Sequence, residues 1–177
     1  MADCRKYVGT FSDLANCEFE SGRINALAFV TEEKAIVADA TPSLWSDSSF
    51  WTSETYSGDI LIHDKVSGSY TGAANTAAGK GSQLERNIGM THTITTRVES
   101  VKGNNGYFDD LNVAANYRAV WVGDFYQTLF VGTTNVRITA VMIQEDDLGS
   151  ILEWEVVCVW SDIRLPRTYD VPAGIFN

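Results

Sequence analysis

Positive charge is scarce in this 177-residue chain, where 13 Lys and Arg face 23 Asp and Glu for a formal net charge of -10. Proteins that wrap DNA draw their affinity from clustered Lys and Arg on the phosphates, so this balance excludes such a role and predicts repulsion. Cysteine is nearly missing too. Cys4, Cys17 and Cys158 are odd in number and show no metal-ligand spacing, so neither a disulfide framework nor a zinc site is expected. Cys158, inside the apolar run "EVVCVW", reads as a small buried hydrophobe. The two histidines, His63 and His92, each fall within a predicted strand and read as half-exposed strand residues. In "IHD", His63 and Asp64 are adjacent on a strand and therefore point to opposite faces. No apolar run approaches the roughly 20 residues of a membrane span, and "MADCRKYVG" lacks the apolar core of a secretory signal. The expectation is a chain made in a reducing cytoplasm, with no membrane partner.

Hydrophobic residues make up 45% and aromatics 11%, enough for a core, and the length suits a single domain over 1–177. "INALAFV" (24–30) reads as a strand, and "TEEKAIVADA" either extends it or forms a short helix. Residues 41–54, "TPSLWSDSSFWTSE", read as a loop or short helix anchored by its rings. "YSGDILIHD" (56–64) is a predicted strand, and 65–89 is a long stretch of Gly, Ala, Ser and Thr that reads as a flexible arm. "MTHTITTRVES" alternates like a strand, and "KGNNGYFDDLNVAANY" has the spacing of a short helix at about 106–116, with Phe108, Leu111 and Ala115 on one stripe. "YRAVWV" and "YQTLFV" flank a Gly-containing turn and predict a hairpin. With "NVRITAVMIQ" and "ILEWEVVCVW" they predict a four-strand meander. The fold class read from this order is mainly β: an antiparallel sandwich or barrel with one packed helix.

Within the arm, "GAANTAAGKGS" (72–82) imitates a phosphate-binding loop. That motif needs a glycine where Ala74 stands and a Ser or Thr where Gly81 stands, between a parallel strand and a helix. Both requirements fail, so no nucleotide cofactor is expected. The acidic "QEDDLGS" supplies only the front of a calcium loop and reads as a solvated turn. No nucleophile, base and orienting group can be assembled from the sequence, so no catalytic residue, metal or cofactor is assigned. Trp121, Trp154 and Trp160 sit in alternating strands and belong to a core. Trp45, Phe50 and Trp51 lack a strand partner, which makes them candidates for contact with a neighbouring subunit.

The stretch "GKGSQLERNIGMTHTITTRVESVKGNNGYFDDLNVAANYRAVWVGDFYQTLFV" resembles structural tail and neck proteins of tailed bacteriophages, particularly those of Bacteroidetes phages including the crAss-like group. The resemblance spans roughly residues 79–160 and includes the Gly-Lys-Gly arm, the "YFDDLN" helix and the "NYRAVWV" strand. It implies a tail-tube-like fold whose long loop reaches the next subunit. It also implies a homo-oligomeric ring in a virion tail or neck, assembled in the host cytoplasm beside other tail, neck or portal-side proteins. DNA would pass through the ring without specific binding. The inter-subunit arm would then include Gly72, Asn75, Gly79, Lys80, Gly81 and Arg86. A long small-residue arm, strand edges able to pair between copies, and negative charge agree with that reading. The competing expectation is a β-sandwich that binds carbohydrate or a cell surface with Trp45, Trp51 and Tyr56 as a stacking platform. A hydrolase assembled only in space ranks last.

Overall fold

Ala26–Thr31 (β1) reads Ala-Leu-Ala-Phe-Val-Thr and is buried along nearly its whole length. A strand apolar on both faces needs a layer on each side. The computed structural model, which describes residues 23–77, 86–99, 103–123, 128–144 and 152–176, supplies both layers. Leu27 and Phe29 face a second sheet, while Ala26, Ala28 and Val30 face a layer of helices.

Among the described residues the chain runs β1, α1 (Glu32–Ala40), a 3-10 turn (Pro42–Ser46), α2 (Ser48–Ser57), β2 (Ile60–His63), β3 (Ser67–Ala77) and β4 (Arg86–Glu99). It continues through α3 (Asn105–Val113), β5 (Tyr117–Gly123), β6 (Thr128–Val131), β7 (Arg137–Ile143), β8 (Glu153–Ser161) and β9 (Arg167–Asp170). The strands form a five-stranded sheet ordered β2-β1-β5-β6-β9 and a four-stranded sheet ordered β3-β4-β8-β7. Every strand pair is antiparallel. The fold is a mainly β sandwich, not a closed barrel.

Local chemistry explains the helical layer. "TEEKAIVADA" resolves as α1 from Glu32, with Glu32 and Glu33 in its first turn, where acidic groups suit the helix dipole. Asp47 caps α2 by accepting from the Ser49 amide at 2.9 Å, and Gly58 ends it in the left-handed conformation at φ 86. Between them, the rings of the 41–54 segment turn inward. Trp45 and Trp51 are fully buried, Phe50 nearly so, and Trp51 meets Phe176 at 5.1 Å. The apolar C-terminal tail thus finds its partner surface on α2 of the same chain.

Three expectations need correction. The arm over 65–89 is, from Ser67 to Ala77, a strand paired with β4 along its length. Small residues predict mobility only when their backbone groups stay unpaired, and here β4 pairs with them. The meander divides: β5 and β6 form the expected hairpin, but β7 and β8 lie in the other sheet and β9 returns to the first. Period-two alternation tells which face is buried, not which sheet a strand joins. The helix ends at Val113, and Ala115 is exposed beyond it.

Candidate functional site

The two sides of the sandwich are finished differently. On the β7 side, Asn112 on α3 donates from Nδ2 to the Ala140 carbonyl at 3.0 Å and accepts from the Ala140 amide at 2.6 Å. One side chain thus imitates a neighbouring strand and blocks that sheet edge. Phe108 stacks on Trp154 at 4.4 Å, so α3 also closes the space between the sheets.

On the opposite side β3 is, among the described residues, the edge strand of its sheet. Its start is covered where the Ile24 amide donates to the Gly68 carbonyl at 3.0 Å. In an antiparallel ladder the outward-facing residues alternate, so Tyr70, Gly72 and Ala74 also aim their N–H and C=O groups away from β4. No backbone group among the described residues pairs with them there. β3 contains no charged residue and no proline. Charge and proline are two of the devices that keep a strand edge from pairing with another chain, and β3 has neither.

Beyond the Met90–Asp162 backbone pair, β3 and β4 continue together without β8, leaving Asn75–Ala77 and Arg86–Gly89 as a two-stranded ribbon. The register slips there: Asn75 opposes Gly89 and Thr76 opposes Asn87, which leaves Ile88 as the extra residue of a bulge. The Gly89 amide donates to Asn87 Oδ1 at 3.0 Å, and Asn75 is hydrogen-bonded to Thr91 at 3.1 Å. Ile88 is left 58% exposed.

Inside the open side lies an aromatic column. Phe130 stacks on Trp121 at 5.5 Å, Trp121 on Tyr70 at 5.1 Å, Tyr70 on His92 at 6.0 Å, and His92 on Trp160 at 5.0 Å. His92, expected to be half-exposed, is completely buried. Its Nε2 donates to the Asp162 carbonyl at 3.0 Å, and its Nδ1 is hydrogen-bonded to the Tyr70 hydroxyl at 2.7 Å. Gly72 makes room for this arrangement, since a Cβ there would sit 3.1 Å from the Tyr70 hydroxyl oxygen. Burial raises the Tyr70 phenol above its ordinary value. With both imidazole nitrogens bonded and the ring enclosed, the pair ties β3, β4 and the end of β8 together within one sheet and presents no reactive face.

A second histidine–tyrosine pair lies near α3, where the Tyr107 hydroxyl is hydrogen-bonded to His63 Nε2 at 2.8 Å. Burial pushes His63 down to about 4 and Tyr107 up to about 12, so both are neutral over the physiological range. A groove of about 510 Å³ beside them is lined by Asp64, Glu99 and Asn104 among others. Burial also raises Asp64. Cys158 is buried and pushed up to about 12, which makes it inert. Among the described residues no cluster of three or more His, Cys, Asp or Glu could hold a metal ion. No described helix is long and apolar enough to cross a membrane.

The predicted site residues therefore separate. Trp45, Phe50 and Trp51 are core groups of this chain, not subunit contacts. Trp45 donates to Asp39 at 3.3 Å and Trp51 to the Trp45 carbonyl at 2.9 Å. Tyr56, 90% exposed, is left without its proposed platform partners. Gly72 and Asn75 lie on β3, and Arg86 begins β4. Gly79, Lys80 and Gly81 fall outside the described residues, as does the acidic turn at 145–147. Sequence reasoning passed over Ile88 and Asn112. Neither has a composition signal, because a bulge and a side chain mimicking a strand depend on register. Comparisons with protein-family models, curated proteins and solved structures find nothing that matches this chain.

Proposed function

We propose that this chain is a non-catalytic structural subunit that assembles with copies of itself into a ring, of the kind expected in the tail tube or neck connector of a tailed bacteriophage. The observation that carries the reading is the edge of β3, which no other described strand covers and which is long, uncharged and free of proline, and continues into a ribbon beyond the sandwich. Unpaired strand edges bind other strands through their main chain, and a closed ring leaves no edge exposed. The resemblance of residues 79–160 to phage tail and neck proteins supplies the setting, and the net charge of -10 suits a channel through which DNA slides without sticking. The carbohydrate-binding reading loses its platform because Trp45 and Trp51 are buried.

Light scattering on a sizing column tests this reading. The expected mass is a multiple of the 19.5 kDa chain, with closed rings in electron micrographs. Deleting 68–89 would remove β3 and cut into β4, so a point change makes a cleaner probe. Ala74→Pro removes an amide that points away from β4, which should spare the monomer and block pairing at that edge. A wild-type chain that stays monomeric at high concentration would end the assembly reading. A stable dimer would keep self-association and eliminate the ring.

A further inference from the structure

The open side of the sandwich contains a cleft of about 340 Å³ between the two sheets, lined by Tyr70, Trp121, Phe130, Leu165 and Pro166 among others. Its floor is the stacked Tyr70–Trp121–Phe130 part of the aromatic column, and Leu165 at its rim is 63% exposed. α3 occupies the equivalent space on the other side of the molecule, but no described element occupies this one.

We infer that this cleft receives the β3–β4 ribbon of a second copy of the chain, with the bulged Ile88 as the side chain that enters it. The inference rests on the self-assembly reading and specifies its contact. Three observations select the occupant. A two-stranded ribbon is at best marginal alone in water, so one that extends past its sheet calls for cover. The bulge aims an apolar side chain outward, fixed by the Asn75–Thr91 and Gly89–Asn87 hydrogen bonds. Among the described ribbon residues, 75–77 and 86–89, the one charged residue is Arg86, so two copies each bearing -10 can meet there without opposing carboxylates among those residues. Ribbon and cleft are different surfaces of one molecule, so the contact is head-to-tail. Repeated, it closes a ring when the rotation between copies allows.

The test places the photoreactive amino acid benzoylphenylalanine at position 88 in an equal mixture of ¹⁴N and ¹⁵N chains. After irradiation, mass spectrometry identifies which peptides are joined. Mixed-isotope crosslinks from position 88 to Trp121, Leu165 or Pro166 are expected. Crosslinks elsewhere on an intact oligomer, or confined to one copy, would overturn the ribbon-in-cleft contact and leave self-assembly standing. A monomer would overturn both. Ile88→Asp gives an independent reading: it should weaken association at least about tenfold through burial of a charge, with the thermal midpoint of the isolated chain unchanged. Undiminished association in that variant would also refute the contact.

Discussion

Arg118 on β5 is the cation on which the helical layer turns, and its removal has a calculable cost. The residue is 3% exposed beneath α1. Its Nε and Nη2 donate to Glu32 at 3.2 and 2.7 Å, and its Nη1 donates to Asp39 at 2.6 Å. Burial penalises the guanidinium, but the hydrogen bonds and charges of Glu32 and Asp39 outweigh that penalty and hold it above its ordinary value. Removing one partner from a buried ion pair costs roughly 3–5 kcal/mol. The Glu32 and Asp39 side chains are 27% and 24% exposed and regain some water, and Asp39 keeps Arg167 at 3.2 Å. Arg118→Met should therefore fall at the lower end, about 3 kcal/mol. For a chain of this size that lowers the thermal midpoint by roughly 6–12 °C. Circular-dichroism melts and urea titrations at pH 7 measure the loss, and an unchanged urea slope would confirm that the unfolding transition is the same. Arg118→Lys should recover only part, because a single ammonium cannot fork across both carboxylates. High salt should alter the effect little, since screening acts mainly on exposed charges. A loss below about 1 kcal/mol for Arg118→Met would refute the view that this network pins α1 to the sheet.

Two further outcomes follow from the core. At Gly68 an added Cβ would lie 2.4 Å from the Thr95 carbonyl oxygen and 2.9 Å from Thr96 Cα, both backbone atoms, so Gly68→Ala must push β3 off β4. The expected loss is about 3 kcal/mol by urea titration, whereas Gly89→Ala, with nothing nearer than 3.9 Å, should be well tolerated; equal effects would refute the steric argument. His63 is held near 4 in the fold against about 6.5 in the unfolded chain, so between those values the unfolded chain binds more protons. The His63 contribution is complete above pH 6.5 and is lost as pH falls towards 4, to a total of up to about 3 kcal/mol. His63→Gln should flatten the stability profile between pH 4 and 6.5, and an unchanged slope would exclude His63 as its source.

The sequence revealed strands better than their partners. β1, β4 and β8 were legible because apolar side chains recur every second residue or fill both faces, and burial requires such a pattern. α3 was legible from Phe108 and Leu111, one helical turn apart. β3 was not, because Gly, Ala, Ser and Thr have little apolar surface to bury and its stability comes from a backbone ladder that composition does not record. The destination of Trp45, Phe50 and Trp51 was also hidden. Their need for cover was visible, but a ring buried against Phe176 or Tyr169 of the same chain has the same local sequence as one reserved for a neighbour. His92 was misjudged for a related reason: its burial depends on Tyr70 and Trp160 arriving from other strands.

The sandwich treats its exposed edges unequally, and charge sharpens the difference. β7 is occupied by the Asn112 side chain, and β9 is short, with its Asp170 carbonyl taken by the Ser46 hydroxyl at 2.9 Å. Among the described residues β3 is covered at its start alone, by Ile24. If the excess of acidic residues were uniform over the surface, copies would repel in every orientation. β3, which carries no charge, breaks that uniformity. Approaches through acidic faces are opposed, while approaches through β3 meet backbone groups that no other described residue pairs, and no like charge. The scarcity of cations and the plain composition of residues 67–77 thus act together: repulsion suppresses most contacts between copies, and the uncharged edge provides a contact that repulsion does not oppose.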